Sequence, residues 1–290
     1  MINKITYLFL RLYSLFLCLL PRGINIIFGK IFGILLYYFF PLRTPVAKTN
    51  LKIAFPEKNK REINKLILNT YKHYGILTFE FLKLHSSKVN NNIFIIDDET
   101  KRILNNKSGI ILMTAHIGNW EMILSILNQY KKVTGIVRKQ KNSGGDKFFY
   151  ECRLGDNVTL IPNKGSRREM LRALENGEIL VLASDQNAKK HGTEIEFFGK
   201  KASIPKGAGH FYYLTNSILV VGFCILTKDF KYEFKLRELK INKNSEQKED
   251  IIVEVNSVYS QILEDEIKKY PEQYFWFHKK WDKDIYKNDI

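Results

Sequence analysis

Cysteine is scarce and scattered. Cys18, Cys152 and Cys224 are the three in a chain of 290 residues. They are odd in number and lack C-x-x-C spacing, which argues against a disulfide framework or a zinc site and fits a reducing compartment. Each reads as a small buried hydrophobe. Acidic residues are also in short supply, 30 against 46 Lys+Arg, for a formal net charge of +16. That balance excludes an acidic surface and favours polyanionic partners: nucleic acid, anionic lipid headgroups or an acidic carrier protein. Charge alone does not choose among them. Nucleotide-binding loops are missing as well. Asn142-Ser143-Gly144-Gly145-Asp146 and Lys206-Gly207-Ala208-Gly209 read as loops and match neither a Walker element nor G-x-G-x-x-G. No small-residue cleavage site follows the apolar N-terminal run, which argues against a cleaved signal peptide.

Hydrophobic residues make up 45% of the chain, enough to exclude wholesale disorder and to bury a full core. Two dense apolar blocks open it. Residues 5–20 are interrupted only by Arg11, and residues 24–40 by Asn25 and Lys30, with Pro21-Arg22-Gly23 between them. Each is a little shorter than the ~20 residues of a spanning helix. One spanning helix and a pair of interfacial helices are both consistent with this pattern. In either case Lys4, Arg11, Arg22, Lys30 and Arg43 are placed to snorkel toward lipid phosphates. Residues 1–42 are therefore assigned to a hydrophobic membrane anchor and 43–290 to a catalytic domain. Within the latter, 56–84 (the cover helix, about 57–84) shows helical periodicity through Ile63, Leu66, Ile67, Thr70, Tyr74, Leu77, Phe81 and Leu84. Its His73 and His85 read as structural or surface residues.

Beyond Asn92 the texture becomes α/β. Short β-type runs at 109–115, 133–137, 158–161, 179–183 and 218–226 alternate with helical patterns. The clearest helix start is Ser166-Arg167-Arg168-Glu169, with capping-box spacing, and Gly177 supplies its stop. Such alternation predicts a central, mostly parallel sheet flanked by helices. Continuous apolar strands such as Ile110-Ile111-Leu112-Met113 fit a sheet covered on both faces. In open α/β sheets ligands bind beyond the carboxyl ends of strands, so chemistry is expected just after each run.

The first such place is Thr114-Ala115-His116-Ile117-Gly118-Asn119-Trp120-Glu121. His116 follows the buried strand, Gly118 permits a tight turn, and Trp120-Glu121 opens a helix through Met122, Ile123, Ile126 and Leu127. An imidazole with an unperturbed pKa of ~6.5 can take a proton at neutral pH and return it. It needs an orienting partner on its other nitrogen, and a carboxylate five residues on can fold back to supply one. His116 and Glu121 are thus the expected catalytic pair, with the substrate's own hydroxyl in place of a triad serine. Backbone N–H groups near Gly118–Asn119–Trp120, at the helix start, are expected to receive a developing oxyanion.

The string His116-Ile117-Gly118-Asn119-Trp120-Glu121 resembles the H-x4-D/E motif of the glycerolipid acyltransferase superfamily, in the H-x-G-N-W-E form of its late acyltransferases of lipid A biosynthesis. Asn50-Leu51-Lys52-Ile53-Ala54-Phe55-Pro56 is similar to that branch's N-L-x-x-A-F-P stretch. Val137-Arg138, Ser184-Asp185-Gln186 and Phe197-Phe198-Gly199 resemble its Y-R, D-Q and F-F-G elements. Pro271-Glu272-Gln273-Tyr274-Phe275-Trp276-Phe277-His278 resembles its closing P-E-Q-x-x-W-x-H. Lys279-Lys280 departs from the arginines that often follow, which puts a bidentate phosphate contact there in doubt.

The resemblance implies a membrane-bound O-acyltransferase that moves a fatty acyl chain from acyl carrier protein to a hydroxyl of a Kdo-bearing lipid A precursor. It would work at the inner membrane, with its catalytic domain facing the cytoplasm. The acyl-carrier-protein thioester is the co-substrate, and no metal or redox cofactor is implied. Arg138, Arg153, Asp185 and Asn119 are assigned to substrate binding, with Asp185 also able to order Arg153. His278, among aromatic residues, is read as packing or interfacial. The main alternative is an acyltransferase for another glycolipid, such as a phosphatidylinositol mannoside. A basic, non-catalytic membrane- or nucleic-acid-binding protein is the reading from a different class. It leaves the ordered motifs unexplained, and nucleic acid is not among the expected partners.

Overall fold

Ile110, Ile111, Leu112 and Met113 are completely buried, and they divide alternately between two hydrophobic cores on opposite faces of one sheet. That two-sided burial is the reason the run is continuously apolar. The computed structural model describes residues 2–85, 90–163, 167–215, 217–241 and 247–289. Ser166, the first residue of the expected capping box, lies outside them.

In chain order the elements are α1 (Ile2–Leu19), α2 (Arg22–Phe39), α3 (Thr44–Ala54), α4 (Lys60–Leu84), β1 (Phe94–Ile96), α5 (Asp98–Leu104), β2 (Ile110–Thr114), α6 (Met122–Leu127) and β3 (Val133–Val137). They continue with α7 (Ser143–Arg153), β4 (Val158–Pro162), α8 (Arg167–Glu175), β5 (Ile179–Ala183), β6 (Gly192–Phe197), β7 (Lys200–Pro205), α9 (Gly207–Leu214), β8 (Ile218–Leu226), β9 (Tyr232–Glu238) and α10 (Lys248–Lys269). Seven strands form the main sheet in the order β1-β9-β8-β2-β5-β3-β4. Neighbours from β8 to β4 are parallel, and β9 runs against β8. The architecture is the expected α/β one, a mostly parallel sheet flanked by helices. β6 and β7 form a separate hairpin closed by Phe198-Gly199, both at positive φ, as a tight two-residue turn requires.

Both glycine stretches read as loops are in fact helix starts. Asn142 accepts a hydrogen bond from the Gly145 amide and caps α7, and α9 begins at Gly207. At α7 this cap offsets the low helix propensity of glycine. The cover helix α4 starts at Lys60, later than the periodicity suggested, because Asn59 and Glu62 form a capping box there.

The N-terminal helices are docked along the body of the protein. Asn25 of α2 donates to the Leu17 and Leu20 carbonyls and closes the α1–α2 corner. α1 is held along its length: Tyr7 donates to Glu151, Tyr13 packs edge-on against Phe79, and Leu17 is fully buried. Three of the cations expected to snorkel instead turn inward. Arg22 pairs with Glu80 at 2.6 Å, Arg11 approaches His85 at 3.4 Å, and Lys30 lies 4.4 Å from the centre of the Phe230 ring. The reason is that α4, the residue that follows it and the β8–β9 connection offer partners that lipid would not. Opposite faces stay apolar and open, with Phe9, Leu12, Phe16, Ile27, Leu35 and Phe39 all exposed.

α2 meets α4 through glycines. A Cβ on Gly75 would lie 2.0 Å from the Gly29 carbonyl oxygen, and one on Gly33 would lie 2.2 Å from that of Tyr71. Small residues that let helix backbones touch hold this contact together. Gly75→Ala should therefore force the helices apart and cost about 1–3 kcal/mol. The check is thermal unfolding in detergent, where a lowered midpoint is expected and an unchanged one would contradict the contact.

Candidate active site

Register places the chemistry. β2 pairs with β5 so that Thr114 stands opposite Ala183. Continuing two residues on both strands brings His116 beside Asp185. The imidazole Nδ1 lies 2.7 Å from Asp185 Oδ1, and the His116 backbone N–H donates to Oδ2 at 3.1 Å. Asp185 is buried at 3% exposure, while the His116 side chain keeps 21%. The carboxylate is locked inside and the ring reaches the surface.

Electrostatics follow from that geometry. Burial alone would push the Asp185 carboxyl up, but His116 and the Lys280 ammonium hold it down at about 2. It is therefore ionised at neutral pH. For His116 burial pulls downward, yet the charge and hydrogen bond of Asp185, with Glu121 adding to them, raise its pKa above the usual value. With Nδ1–H given to Asp185, the neutral ring carries its lone pair on Nε2. Nε2 faces the Gln186 side-chain amide at 3.4 Å. This is the histidine–carboxylate half of a triad, with its basic nitrogen turned outward.

The expected orienting partner was Glu121, and here the structure corrects the sequence. Glu121 is bound by Arg153 in a two-pronged ion pair, Nε and Nη2 each 2.7 Å from a carboxylate oxygen. Glu121 precedes α6, whose start directs it toward the end of α7 instead of back to the imidazole ring. Arg153 is consequently spent on Glu121, and its guanidinium also lies 5.2 Å from the Phe81 ring centre. It is not aimed at a substrate phosphate. Asp185 neither orders Arg153 nor faces an acceptor; it serves His116.

Asn119 is corrected as well. It is completely buried, and its side-chain amide donates to the Tyr232 hydroxyl at 2.9 Å. Tyr232 donates in turn to Glu80, the partner of Arg22 at the head of α2. A buried polar chain thus links the N-terminal helices to the turn carrying His116. Two of the three expected oxyanion donors are engaged: Gly118 N–H donates to the Gln273 carbonyl at 3.0 Å, and Asn119 N–H to that of Cys224 at 2.7 Å. Gly118 has φ +60°, and a Cβ there would meet the Cys224 oxygen at 2.0 Å, so both backbone and packing demand glycine.

The remaining motifs brace this turn from several sides. Gln273 makes two hydrogen bonds to the Leu226 backbone at the end of β8, and Phe275 N–H donates to the His116 carbonyl at 2.9 Å. Asn50 of α3 donates to the Trp276 and His278 carbonyls and accepts from the Tyr286 hydroxyl. From α4, Tyr74 donates to the His116 carbonyl, and His73 approaches the Gly118 carbonyl at 3.3 Å. Burial lowers the pKa of His73 to about 4, which fits its structural reading. Trp120 and Phe275 flank the catalytic ring, with centroids 5.1 and 6.2 Å away.

Gln186 also lines a cavity of about 1150 Å³. Arg138, expected to bind substrate, lines it, and so do His278 and Lys279. His278, read as packing or interfacial, accepts from the Asn187 backbone at 3.1 Å while reaching the cavity wall. Lys280 turns inward, 2% exposed, and donates to the Asp185 carbonyl at 2.5 Å. Sequence reasoning did not single it out as support for the site.

A histidine just past the carboxyl end of the central strand, held by a buried carboxylate and next to Gln186 of the cavity wall, defines an acyltransferase-type site. A family model described as bacterial lipid A biosynthesis acyltransferase matches residues 2–283, and the chain belongs to that family. It is 21% identical over 267 residues to the lipid A biosynthesis palmitoleoyltransferase of Escherichia coli (strain K12), covering 90% of this chain and 86% of that one. It is 22% identical over 163 residues to the phosphatidylinositol mannoside acyltransferase of Mycolicibacterium smegmatis (strain ATCC 700084 / mc(2)155), covering 54% of each. Among solved structures it is similar to the 1-acyl-sn-glycerophosphate acyltransferase PlsC of Thermotoga maritima, with TM-score 0.37, 15% identity, and 91% and 98% of the two chains covered.

Proposed function

We propose that this O-acyltransferase moves a fatty acyl chain from an acyl-carrier-protein thioester to a hydroxyl of a Kdo-bearing lipid A precursor. The observation that carries the reading is the His116–Asp185 pair, with Nε2 facing Gln186, a residue that lines the cavity. His116 Nε2 takes the acceptor hydroxyl proton as that oxygen attacks the thioester carbonyl. The carbon–sulfur bond then breaks, and the proton passes from the imidazolium to the departing thiolate. Asp185 keeps the tautomer fixed and stabilises the imidazolium, help of a kind worth about 10²–10⁴-fold. Holding both substrates together contributes the rest.

α1 and α2 are each long and apolar enough to cross a bilayer by length and composition. Their docking along α4 and α7 supports a different seating, with both in one leaflet and their exposed Phe, Leu and Ile side chains in the acyl region. We assign the chain to the cytoplasmic face of the inner membrane, where the acidic carrier would meet a basic surface. The mycobacterial relative supports a second reading, in which the acceptor is a phosphatidylinositol mannoside.

Mass spectrometry of envelope lipids from a strain lacking this chain tests both. Lipid A missing one acyl group is expected, restored by the wild-type chain and not by His116→Ala. Loss of an acyl group from another glycolipid would select the second reading. Full rescue by His116→Ala would overturn the catalytic assignment.

A further inference from the structure

Lysine is among the residues least often found fully buried without a partner. Lys280 is 2% exposed, and its ammonium donates to the backbone carbonyl of Asp185 at 2.5 Å. From the β6–β7 hairpin, the centre of the Phe197 ring lies 4.5 Å away, a contact that suits a desolvated cation. The bond goes to the main chain, so it takes neither carboxylate oxygen of Asp185. Both of those face His116, Oδ1 toward the imidazole and Oδ2 toward the backbone N–H. Lys280 thus sets a positive charge beside the carboxylate without competing for its hydrogen bonds.

That charge bears on the state of His116. A buried carboxylate left without a cation draws a proton onto a basic neighbour, because an ion pair costs less than a lone buried charge. The neighbour here is the imidazole, and an imidazolium has no lone pair with which to take a hydroxyl proton. Burial pushes the Asp185 carboxyl up, and His116 and then Lys280 bring it down to about 2. For Lys280, burial pulls the ammonium down to about 8, against the charges of Asp185 and then Glu264 of α10. It therefore stays charged at neutral pH. The other groups around the pair do not replace it. Burial keeps the Tyr74, Tyr259 and Tyr274 hydroxyls neutral and lowers the pKa of His278, while Glu121 adds negative charge on the His116 side. Arg43 faces His278, and Arg153 is engaged by Glu121.

We propose that Lys280 is a positioning residue for acyl transfer: it is the fixed counter-charge of Asp185 that leaves His116 standing as a neutral base. The proposal rests on the acyl-transfer reading of His116. It gives Lys280 a task carried out through Asp185, with no contact to either substrate. Groups that share one carboxylate titrate as a unit, so loss of the cation should appear as a displaced titration of His116.

The test uses the full chain in detergent micelles and compares two variants. Lys280→Gln keeps a donor for the Asp185 carbonyl and loses the charge, whereas Lys280→Met loses both. In Lys280→Gln the acid limb of kcat/KM should move up by about one pH unit, which is about a tenfold loss below both limbs. The difference should close well above the Lys280 value of about 8, where the wild type has lost the same charge. Lys280→Met should shift the limb at least as far. An unmoved limb in Lys280→Gln overturns the proposal. So does a loss of rate that is equal at every pH, the mark of a side chain that only packs. In an Asp185→Asn background Lys280→Gln should leave the limb in place, and a shift of full size there also overturns it. To separate this from failure of the acyl-transfer reading, the pKa of His116 is measured without turnover from its side-chain nitrogen resonances, identified by their loss in His116→Ala. A raised value in Lys280→Gln supports the counter-charge even if acyl transfer is refuted. An unchanged value sinks it even if acyl transfer stands.

Discussion

Asp185→Asn should lower the acyl-transfer rate by about 10²–10⁴-fold while leaving the protein folded. The amide keeps the volume of the carboxylate but loses its charge. It can also present N–H toward the ring, which favours the tautomer with Nδ1 as acceptor and puts the proton on the nitrogen that must act as base. The pH profile supplies a second, independent signature. In the wild type His116 has a raised pKa because Asp185 outweighs burial. The reaction requires the neutral ring, so kcat/KM should fall as the pH drops through a value above the usual ~6.5 of histidine. Without the Asp185 charge, burial acts with less opposition, and the acid limb should move to lower pH. A variant within about threefold of wild type, with its acid limb unmoved, would remove Asp185 from the mechanism.

That pairing also marks how far the sequence could be read. The strand runs at 133–137, 179–183 and 218–226 match the observed strands, because a sheet buried on both faces writes itself as continuous apolar residues. The site's location was legible for a related reason: His116 follows such a run. Its partner was not. Glu121 is close in sequence and Asp185 is 69 residues away. What makes Asp185 the neighbour is the order of strands, β5 lying beside β2, and no local periodicity encodes strand order. The available signal was an acidic residue two positions beyond another buried strand, equivalent to His116 beyond β2. Asn119 and Gly118 show the opposite limit. Both lie in a motif that looks like chemistry, yet one is buried against Tyr232 and the other fits under the Cys224 carbonyl. Residue type announced that the turn mattered without saying that these two serve its shape. Inward-turned Arg11, Arg22 and Lys30 fall in the same class, since their partners His85, Glu80 and Phe230 are distant in the chain.

The role left to Glu121 leads to the second large effect. Arg153→Met should destabilise the protein by about 3 kcal/mol, the lower end of the cost of breaking a buried ion pair, because the two side chains retain 20% and 17% exposure. Most of that cost is the Glu121 charge left uncompensated, softened by its place at the start of α6, where a helix favours an anion. Adding Glu121→Gln to Arg153→Met removes the stranded charge and should recover much of the lost stability. Glu121→Gln alone should also slow the reaction, since it frees Arg153 and withdraws a charge that raises the basicity of His116. Were Glu121 instead the residue orienting His116, the double variant would be slower than Arg153→Met by the full effect of Glu121→Gln. With the two residues acting as one brace between α6 and α7, the double variant should be slower than Arg153→Met only by the small effect of the charge withdrawn from His116. Unfolding midpoints and rates for the four proteins of this cycle give the coupling directly. A coupling near zero between residues 121 and 153 would break the brace and return Glu121 to the reaction centre.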